Sequence, residues 1–475
     1  MSPSISEDIP APTPPRRPAP RDPLANALFL GLCALVALAP LPLGAARPLA
    51  WDVMGLWVAA LLLGSLWLPL REPTRLRQDL TLPALLLAAV MAFVVFQAIP
   101  FGPGSWHNPV WEQAGEALGR AVPAAIAVDP QAALIGLFRY AMYAGIFYLA
   151  YLLAREAVRA RRALKLVSWA GTGYAAYGLI VYGAGNRMIL WLPKIAYPND
   201  LTATFVNKNS FATYTGLALL ATLALIVDSF VMRPRLDGDW RDRVRIAIEF
   251  LSPRVGLFAC LFVQATALLL AHSRGGSVAC LFGILLLVIA VSQVPSFGRA
   301  RHWGLAAVPL AMVVIAFLIS GGTLIERLGE SANDAPGRLA IYDSTITAIR
   351  DFPIFGTGLG SFPAFFPLYR TDALPTGFIN AAHNDYLETM LELGIPAAAL
   401  LFAVFFWLAG LCARGIYRRR RDEIFPCLGI AASGLVGLHE ALDFSLQIPA
   451  VTATYLFLMG IAVAQSRSSR DGGAS

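Results

Sequence analysis

Apolar residues run through this chain in long blocks. Windows of about 18 to 22 mostly hydrophobic residues, the length needed to cross a bilayer as helix, recur about twelve times. They fall near residues 24–42, 51–70, 82–99, 132–153, 163–184, 209–229, 254–272, 275–293, 304–320, 394–412, 425–439 and 446–465. The eleventh is short and the fourth is interrupted by Arg139, so eleven or thirteen spans also fit the pattern. Most connections are short, but residues 100–131 and 321–393 are not, and the second makes a loop of 73 residues. A loop that long is either functional or disordered. Within it, "GRLAIYDSTITAIRDFPIFG" places Leu339, Ile341, Ile346 and Ile349 at helical spacing and then meets Pro353, which predicts an ordered loop with at least two helices lying over the outer face.

Composition fits this reading. The chain is 57% hydrophobic and 14% charged, which excludes a water-soluble globular class and predicts an all-α polytopic membrane protein. Residues 1–23 carry eight prolines and read as a disordered tail. The expected organisation is that tail, nine spans over 24–320, the loop 321–393, three spans over 394–465 and a short tail, 466–475. Small residues follow the first span, but the polar tail ahead of it favours an uncleaved helix over a signal peptide. The five cysteines (Cys33, Cys260, Cys280, Cys412, Cys427) lie in or at the ends of apolar spans, so no disulfide framework is expected.

Charge sets orientation. With the N-terminus cytoplasmic, 26 of the 37 Lys and Arg residues fall on inside segments, as insertion topology requires. Both tails are then cytoplasmic and the 73-residue loop lies on the outer side. The net charge of +7 is spread over separate short loops that satisfy topology, so nucleic acid is not an expected partner. The bilayer is.

Polar chemistry concentrates on the outer side, which receives His107, His272, His383, His439, Arg274, Arg327, Arg338, Arg350 and Arg370. In "AHSRGGSV", Arg274 opens a helix, where free amides and the helix dipole favour an anion; an arginine reaching for the interface is the plainer reading. Arg338, in "GRLAIYD", has the same two readings, but two outer arginines near one point would clamp a diphosphate, each charge-assisted bond contributing roughly 1.5–3 kcal/mol. "AHNDYLETMLELG", 382–394, gathers His383, Asn384, Asp385, Glu388 and Glu392 before a span. Asp385 and Glu388 have the form of a helix cap with a reciprocal acidic partner, and His383, Asp385 and Glu388 are also metal-ligand types, the less favoured reading. Capping does not require His383, and an imidazole there can take a proton from an acceptor hydroxyl. "FVNKNSFATY" adds Asn207, Lys208 and Asn209 at another outer helix start, with Asn209 or Ser210 as its cap. Arg139 is an intramembrane charge and a functional candidate on that ground. His439, Glu440 and Asp443 crowd the turn of "LHEALDFSLQIP", read as structural.

Taken in order, "FVNKNSFA", "SRGG", "GRLAIYDSTITAIRDFPIFGTGLGSF" and "HNDYLETMLELGIP" resemble the O-antigen ligase and polymerase family of bacterial membrane glycosyltransferases, over about residues 200–460. The resemblance implies a GT-C-like helical membrane fold in the bacterial inner membrane, with a periplasmic active site. It implies a glycan donor on undecaprenyl diphosphate and a hydroxyl acceptor on a glycan, a lipid A core or a protein. It implies metal-independent transfer with no cofactor, Arg274 and Arg338 on the diphosphate and His383 activating the acceptor. Asn207, Lys208, Asn209, Arg139, Asn384 and Asp385 are the expected substrate-binding groups. The family's ligase form places Gly, Thr or Tyr three residues after Gly394, where this chain has Ala397, and "DFSLQIP" resembles the exopolysaccharide-polymerase branch.

A lipid-linked glycan transporter is the rival from another class. Transporters place charges or broken helices near the midplane, often in paired repeats, whereas here no internal repeat is evident and polar groups cluster at outer helix ends. No Walker A, H-E-x-x-H or G-x-S-x-G sequence occurs, and "GTGLG" at Gly356 is a glycine-rich turn without the βαβ context of a dinucleotide site.

Overall fold

A computed structural model describes residues 22–68, 73–185, 187–230, 240–294, 337–372, 374, 377–419 and 421–467. Its helices are α1 (Pro23–Leu38), α2 (Pro48–Ser65), α3 (Pro73–Ala98), α4 (Val110–Leu118), α5 (Pro130–Leu153), α6 (Ala157–Gly183), α7 (Lys208–Ser229), α8 (Trp240–Leu270), α9 (Arg274–Ser292), α10 (337–351), α11 (Phe362–Phe365), α12 (Asp385–Arg418), α13 (Ile424–Glu440) and α14 (Pro449–Ala464). One antiparallel hairpin, β1 (Met188–Ile189) with β2 (Leu192–Pro193), joins α6 to α7. Several helix starts are legible locally. Asp22 and Asp129 accept amides of the first turns of α1 and α5, and Pro23, Pro48, Pro130 and Pro449 stand at first positions, where a missing N–H costs nothing.

Among the described residues, six segments are long and apolar enough to cross a membrane: α2, residues Asp79–Ala98 of α3, α5, α7, α9 and α12. Shorter apolar helices accompany them: α1, Arg254–Leu270 of α8, α13 and α14. The chain is a helical membrane protein with six candidate spans among its described residues. Eleven of the twelve expected windows fall on helices; the window at 304–320, Arg327, most of the N-terminal tail and the end of the C-terminal tail lie outside the described residues.

The bundle is built round α7, whose residues from Asn209 to Val227 are all buried against α6, α8, α9, α13 and α14. A helix apolar on all sides belongs in such a core. Its polar groups are satisfied between helices: the Thr222 hydroxyl lies 2.7 Å from Ser168 Oγ and 2.9 Å from Gln264 Oε1. At one end of the bundle, Arg161 pairs with Asp228 at 2.8 Å and also with Asp422, tying the end of α7 to the α12–α13 connection. At the other end α5, α7, α9, α12 and α14 all begin.

That end is covered by α10 and α11, which share a small core of Ile341, Ala348, Ile349, Phe362, Phe365, Phe366 and Leu391. Ile341 and Ile349 face inward as expected, but Leu339 is 59% exposed; the buried face of α10 runs instead through Ser344, Thr345 and Ala348. The glycine-rich turn follows. Gly394 interrupts α12 with φ 73° and ψ 159°, a region open to glycine, and the turn crosses there: Thr357 N and Gly358 N donate to Leu391 O and Glu392 O at 3.0 and 2.9 Å. A Cβ on Gly394 would stand 2.2 Å from Ile354 O. The residues 385–393 thus form a separate first segment of α12, angled from the apolar remainder.

Candidate active site

The turn between α13 and α14, residues 441–448, is the point to which the other elements connect. His383 immediately precedes α12, and its Nδ1 lies 3.2 Å from Asp443 Oδ1. Arg338, at the start of the described part of α10, donates from Nη1 to Leu442 O at 3.0 Å. Asn384 donates from Nδ2 to Ala441 O at 3.1 Å. Arg274 opens α9, and its neighbour Gly275 faces the same turn: a Cβ there would lie 3.4 Å from the His439 ring and 3.5 Å from Leu442 Cβ. His383, Asn384 and Arg338 are bonded to Asp443, Ala441 and Leu442, and the helix start that carries Arg274, 110 positions from Asn384, packs against the same turn.

His383 is held on several sides. Its backbone is left-handed, φ 54°, an uncommon conformation for any residue but glycine. Three contacts stabilise it: the Tyr342 hydroxyl donates to His383 O at 2.8 Å, Ala382 N donates to Glu388 Oε2 at 2.7 Å, and the imidazole meets the Phe444 ring edge-on at 5.2 Å between centroids. Burial raises the pKa of Tyr342, which keeps it a donor. Burial would also raise the Asp443 carboxyl, but the hydrogen bond from His383 and the charges of His383, His439 and Arg338 bring it below its ordinary value. An ionised Asp443 accepts a hydrogen bond from Nδ1–H and so leaves His383 Nε2 as the free acceptor.

The remaining predicted residues build the frame. Asn207 caps α7 through Asn209 N at 2.8 Å, displacing the expected caps Asn209 and Ser210. Asn209 Oδ1 accepts from Ser273 Oγ at 2.7 Å, joining the starts of α7 and α9, and Ser273 caps α9. Lys208 pairs with Asp200 at 3.0 Å, and His272 Nδ1 lies 2.8 Å from the other Asp200 oxygen. Burial opposes ionisation of Asp200, but these two partners outweigh it and lower the carboxyl's pKa. Asn384, not Asp385, caps α12, with Oδ1 accepting from Leu387 N at 3.1 Å; amide side chains cap as well as carboxylates do. Asp385 instead accepts from Gln447 Nε2 at 2.8 Å, a group shared with Glu388 at 2.9 Å. Arg139, in α5, donates to Gln447 O and to Tyr143 Oη and lies 5.0 Å above the Trp51 ring. His107 stands apart and contacts Phe101 O at 3.3 Å.

Sequence reasoning named His439 and Asp443 but read the turn as structural, and it did not single out Gln447. Asp443 orients His383, Gln447 links Arg139 to Asp385 and Glu388, and His439, 1% exposed, sets Nδ1 2.5 Å from Thr213 Oγ1 and 3.1 Å from Ser445 Oγ. The available signal was the density of His439, Glu440, Asp443 and Gln447 within nine residues at an outer turn. Among the described residues, no three His, Cys, Asp or Glu side chains are grouped to hold a metal ion.

Residues 256–402 match the family model Wzy_C, O-antigen ligase. The match supports an O-antigen ligase assignment. It spans part of α8, all of α9 and α10, and the start of α12, and so includes Arg274, Arg338, His383, Asn384 and Asp385. Arg139, Asn207, Lys208, Asn209 and the turn that completes the site lie outside it. No curated protein matches the chain.

Proposed function

We propose that the chain is an O-antigen ligase- or polymerase-type glycosyltransferase, acting at the outer face of the bacterial inner membrane on a glycan carried by undecaprenyl diphosphate. One observation carries the reading: Arg338 and His383 are bonded to successive residues of a single turn, Leu442 and Asp443, against which the start of α9 with Arg274 is also packed. A basic group for the acceptor and cations for the leaving group are thereby set side by side.

The chemistry follows from that arrangement. The polyprenyl chain stays in the bilayer while its diphosphate and first sugar project between the helix starts. His383 Nε2 removes the proton from an acceptor hydroxyl as the oxygen attacks the anomeric carbon. The bond from that carbon to the phosphate oxygen breaks, and undecaprenyl diphosphate leaves with the electron pair. Arg274 and Arg338, with the positive dipole ends of α7 and α9, stabilise the charge that grows on it. Asp443 holds the imidazole in the accepting tautomer and balances the charge formed on it. Twelve spans in a GT-C-like arrangement, with 321–393 periplasmic and both tails cytoplasmic, complete the proposal.

Ala397 and the "DFSLQIP" turn support polymerisation of repeat units as the second reading. The two separate in one experiment: purified protein incubated with an undecaprenyl-diphosphate glycan, with and without a lipid A core acceptor, followed by product sizing. A ladder from donor alone identifies a polymerase and a single core-linked adduct a ligase. Release of no undecaprenyl diphosphate with any hydroxyl acceptor, glycan, lipid A core or protein, would refute glycosyl transfer.

A further inference from the structure

The hairpin between α6 and α7 is absorbed by neither the reaction nor the helix bundle. Its apolar tip is bare, with Trp191 76% and Leu192 41% exposed, and Ile195, just past the base, is 80% exposed. Yet its backbone is firmly placed. Lys194 N donates to Arg187 O at 2.8 Å and closes the base, while Leu190 N, at the tip, donates to Tyr177 Oη at 2.8 Å. Leu190 and Tyr197 both hold left-handed backbones, φ 56° and 51°, conformations that persist where surroundings fix them.

The bond to Tyr177 decides where the tip lies. Tyr177 is six residues before the end of α6, about 9 Å back along the helix at ~1.5 Å per residue, so the hairpin folds down along α6 instead of rising from it. Ile180, in that same stretch of α6, is itself 71% exposed, so the hairpin's apolar tip continues a lipid-facing surface. From the last basic residue near the helix start, Lys165, to Gly183 is roughly 27 Å, close to the hydrocarbon thickness of about 30 Å; a tip level with Tyr177 is then below the headgroups. Arg187, exposed at the hairpin base, stands where lipid phosphates would be, and a Trp flanked by basic residues suits that boundary.

We propose that residues 187–195 form an interfacial anchor whose tip, Trp191 and Leu192, seats in the outer-leaflet lipid. A few residues on, Asp200 binds both Lys208 at the start of α7 and His272 just before α9. The anchor thus fixes the two helix starts beside Arg274 relative to the membrane surface, where a lipid-borne substrate must present its headgroup. The proposal rests on the membrane reading and is independent of the reaction.

The full chain in nanodiscs of phosphatidylcholine, brominated either near the glycerol end or near the tail end of the acyl chain, provides the test. The emission of Trp191 is the difference between the wild type and Trp191→Phe. The expected result is quenching by brominated lipid, stronger for bromine near the glycerol end. A Trp191 signal that does not respond to either lipid overturns the proposal, whether aqueous iodide quenches it, as for a water-exposed or sugar-stacking Trp, or does not, as for a Trp covered by a second copy. Leu192→Trp in the Trp191→Phe background repeats the reading with an independent reporter, and no substrate or turnover is needed.

Discussion

Replacing Asp443 by Asn removes a charge while keeping the side chain's shape, and the surroundings set what that costs. Asp443 is 1% exposed. One oxygen lies 3.2 Å from His383 Nδ1, and the other, Oδ2, has no hydrogen-bond partner among the described residues. If the new amide keeps its oxygen on His383, the bond falls from charge-assisted, roughly 1.5–3 kcal/mol, to neutral, roughly 0.5–1.5 kcal/mol. Its NH2 then occupies the place of Oδ2 with no acceptor, at a cost of about 1–3 kcal/mol. If the amide turns over to avoid this, it donates to Nδ1, the proton moves to Nε2, and the free acceptor for the substrate is gone. The first arrangement slows transfer about tenfold, since each ~1.4 kcal/mol is a factor of ten; the second removes general-base assistance, typically 10² to 10⁴ in rate. The assay is single-turnover release of undecaprenyl diphosphate at saturating donor, alongside thermal unfolding in detergent. His383→Ala combined with Asp443→Asn is expected to be no slower than His383→Ala alone, because the two residues act as a unit. A kcat for Asp443→Asn within about twofold of wild type would refute the role given to the pair.

Other outcomes follow from single contacts. Gly394→Ala puts a side chain at φ 73° with its Cβ 2.2 Å from Ile354 O, and strain of at least ~1–2 kcal/mol from the backbone alone should lower the unfolding temperature; an unchanged melt would contradict the crossing of the glycine-rich turn over α12. Arg338→Lys keeps the charge but loses the fork that serves Leu442 O and an anion together, so donor KM should rise about tenfold with a smaller change in kcat, and a fall confined to kcat would count against diphosphate binding. The depressed Asp200 carboxyl contributes stability at all pH values above its unfolded pKa and loses it as pH falls through the lower folded one. Hydrogen-exchange protection over residues 188–200, relative to the intrinsic rate at each pH, should therefore hold from neutral pH downwards and fall only below the ordinary carboxylate range, and a loss of protection already near neutrality would refute the role given to Asp200.

How much was legible depended on how local each signal was. The spans are block hydrophobicity, and helices lie where the windows fell. Arg274, Arg338 and His383 were legible as types in order along the chain, since each sits at or near a helix start that its own neighbours mark. Their meeting place was not. Leu442 and Asp443 lie 104 and 60 residues from the groups they bind, and the same composition would serve a plain turn. Caps were misread by a residue because Asn and Asp compete for one position: at α12 Gln447 draws Asp385 away and Asn384 takes the amide. Leu339 failed as a core residue for a tertiary reason, since α10 packs through Ile341, Ala348 and Ile349 on the phenylalanines of α11.

The acidic run at 385–392 poses the sharpest physical problem, because carboxylates beside a diphosphate site should repel its ligand. Their partners resolve it. Glu388 accepts from Ala382 N, Glu392 from Phe362 N at 3.0 Å, and Glu440 from Leu446 N at 3.1 Å: two amides of connecting segments and the first amide of α11, none with a helical partner of its own. Buried loop amides must be paired, and a carboxylate on a rigid helix can hold one across a gap that backbone alone does not close. Each of these acids faces inward, to the loop that it secures, and Glu388 and Glu440 secure the segments carrying His383 and Asp443. Arg274 and Arg338 stand across the turn from them, on α9 and α10. Under the proposed reaction the site separates two uses of charge: acids on α12 and α13 fix the loops, while the cations on α9 and α10 are the groups proposed for the anion. Glu388→Gln retains one acceptor and so should be tolerated far better than Glu388→Ala, which leaves Ala382 N unpaired next to the strained His383.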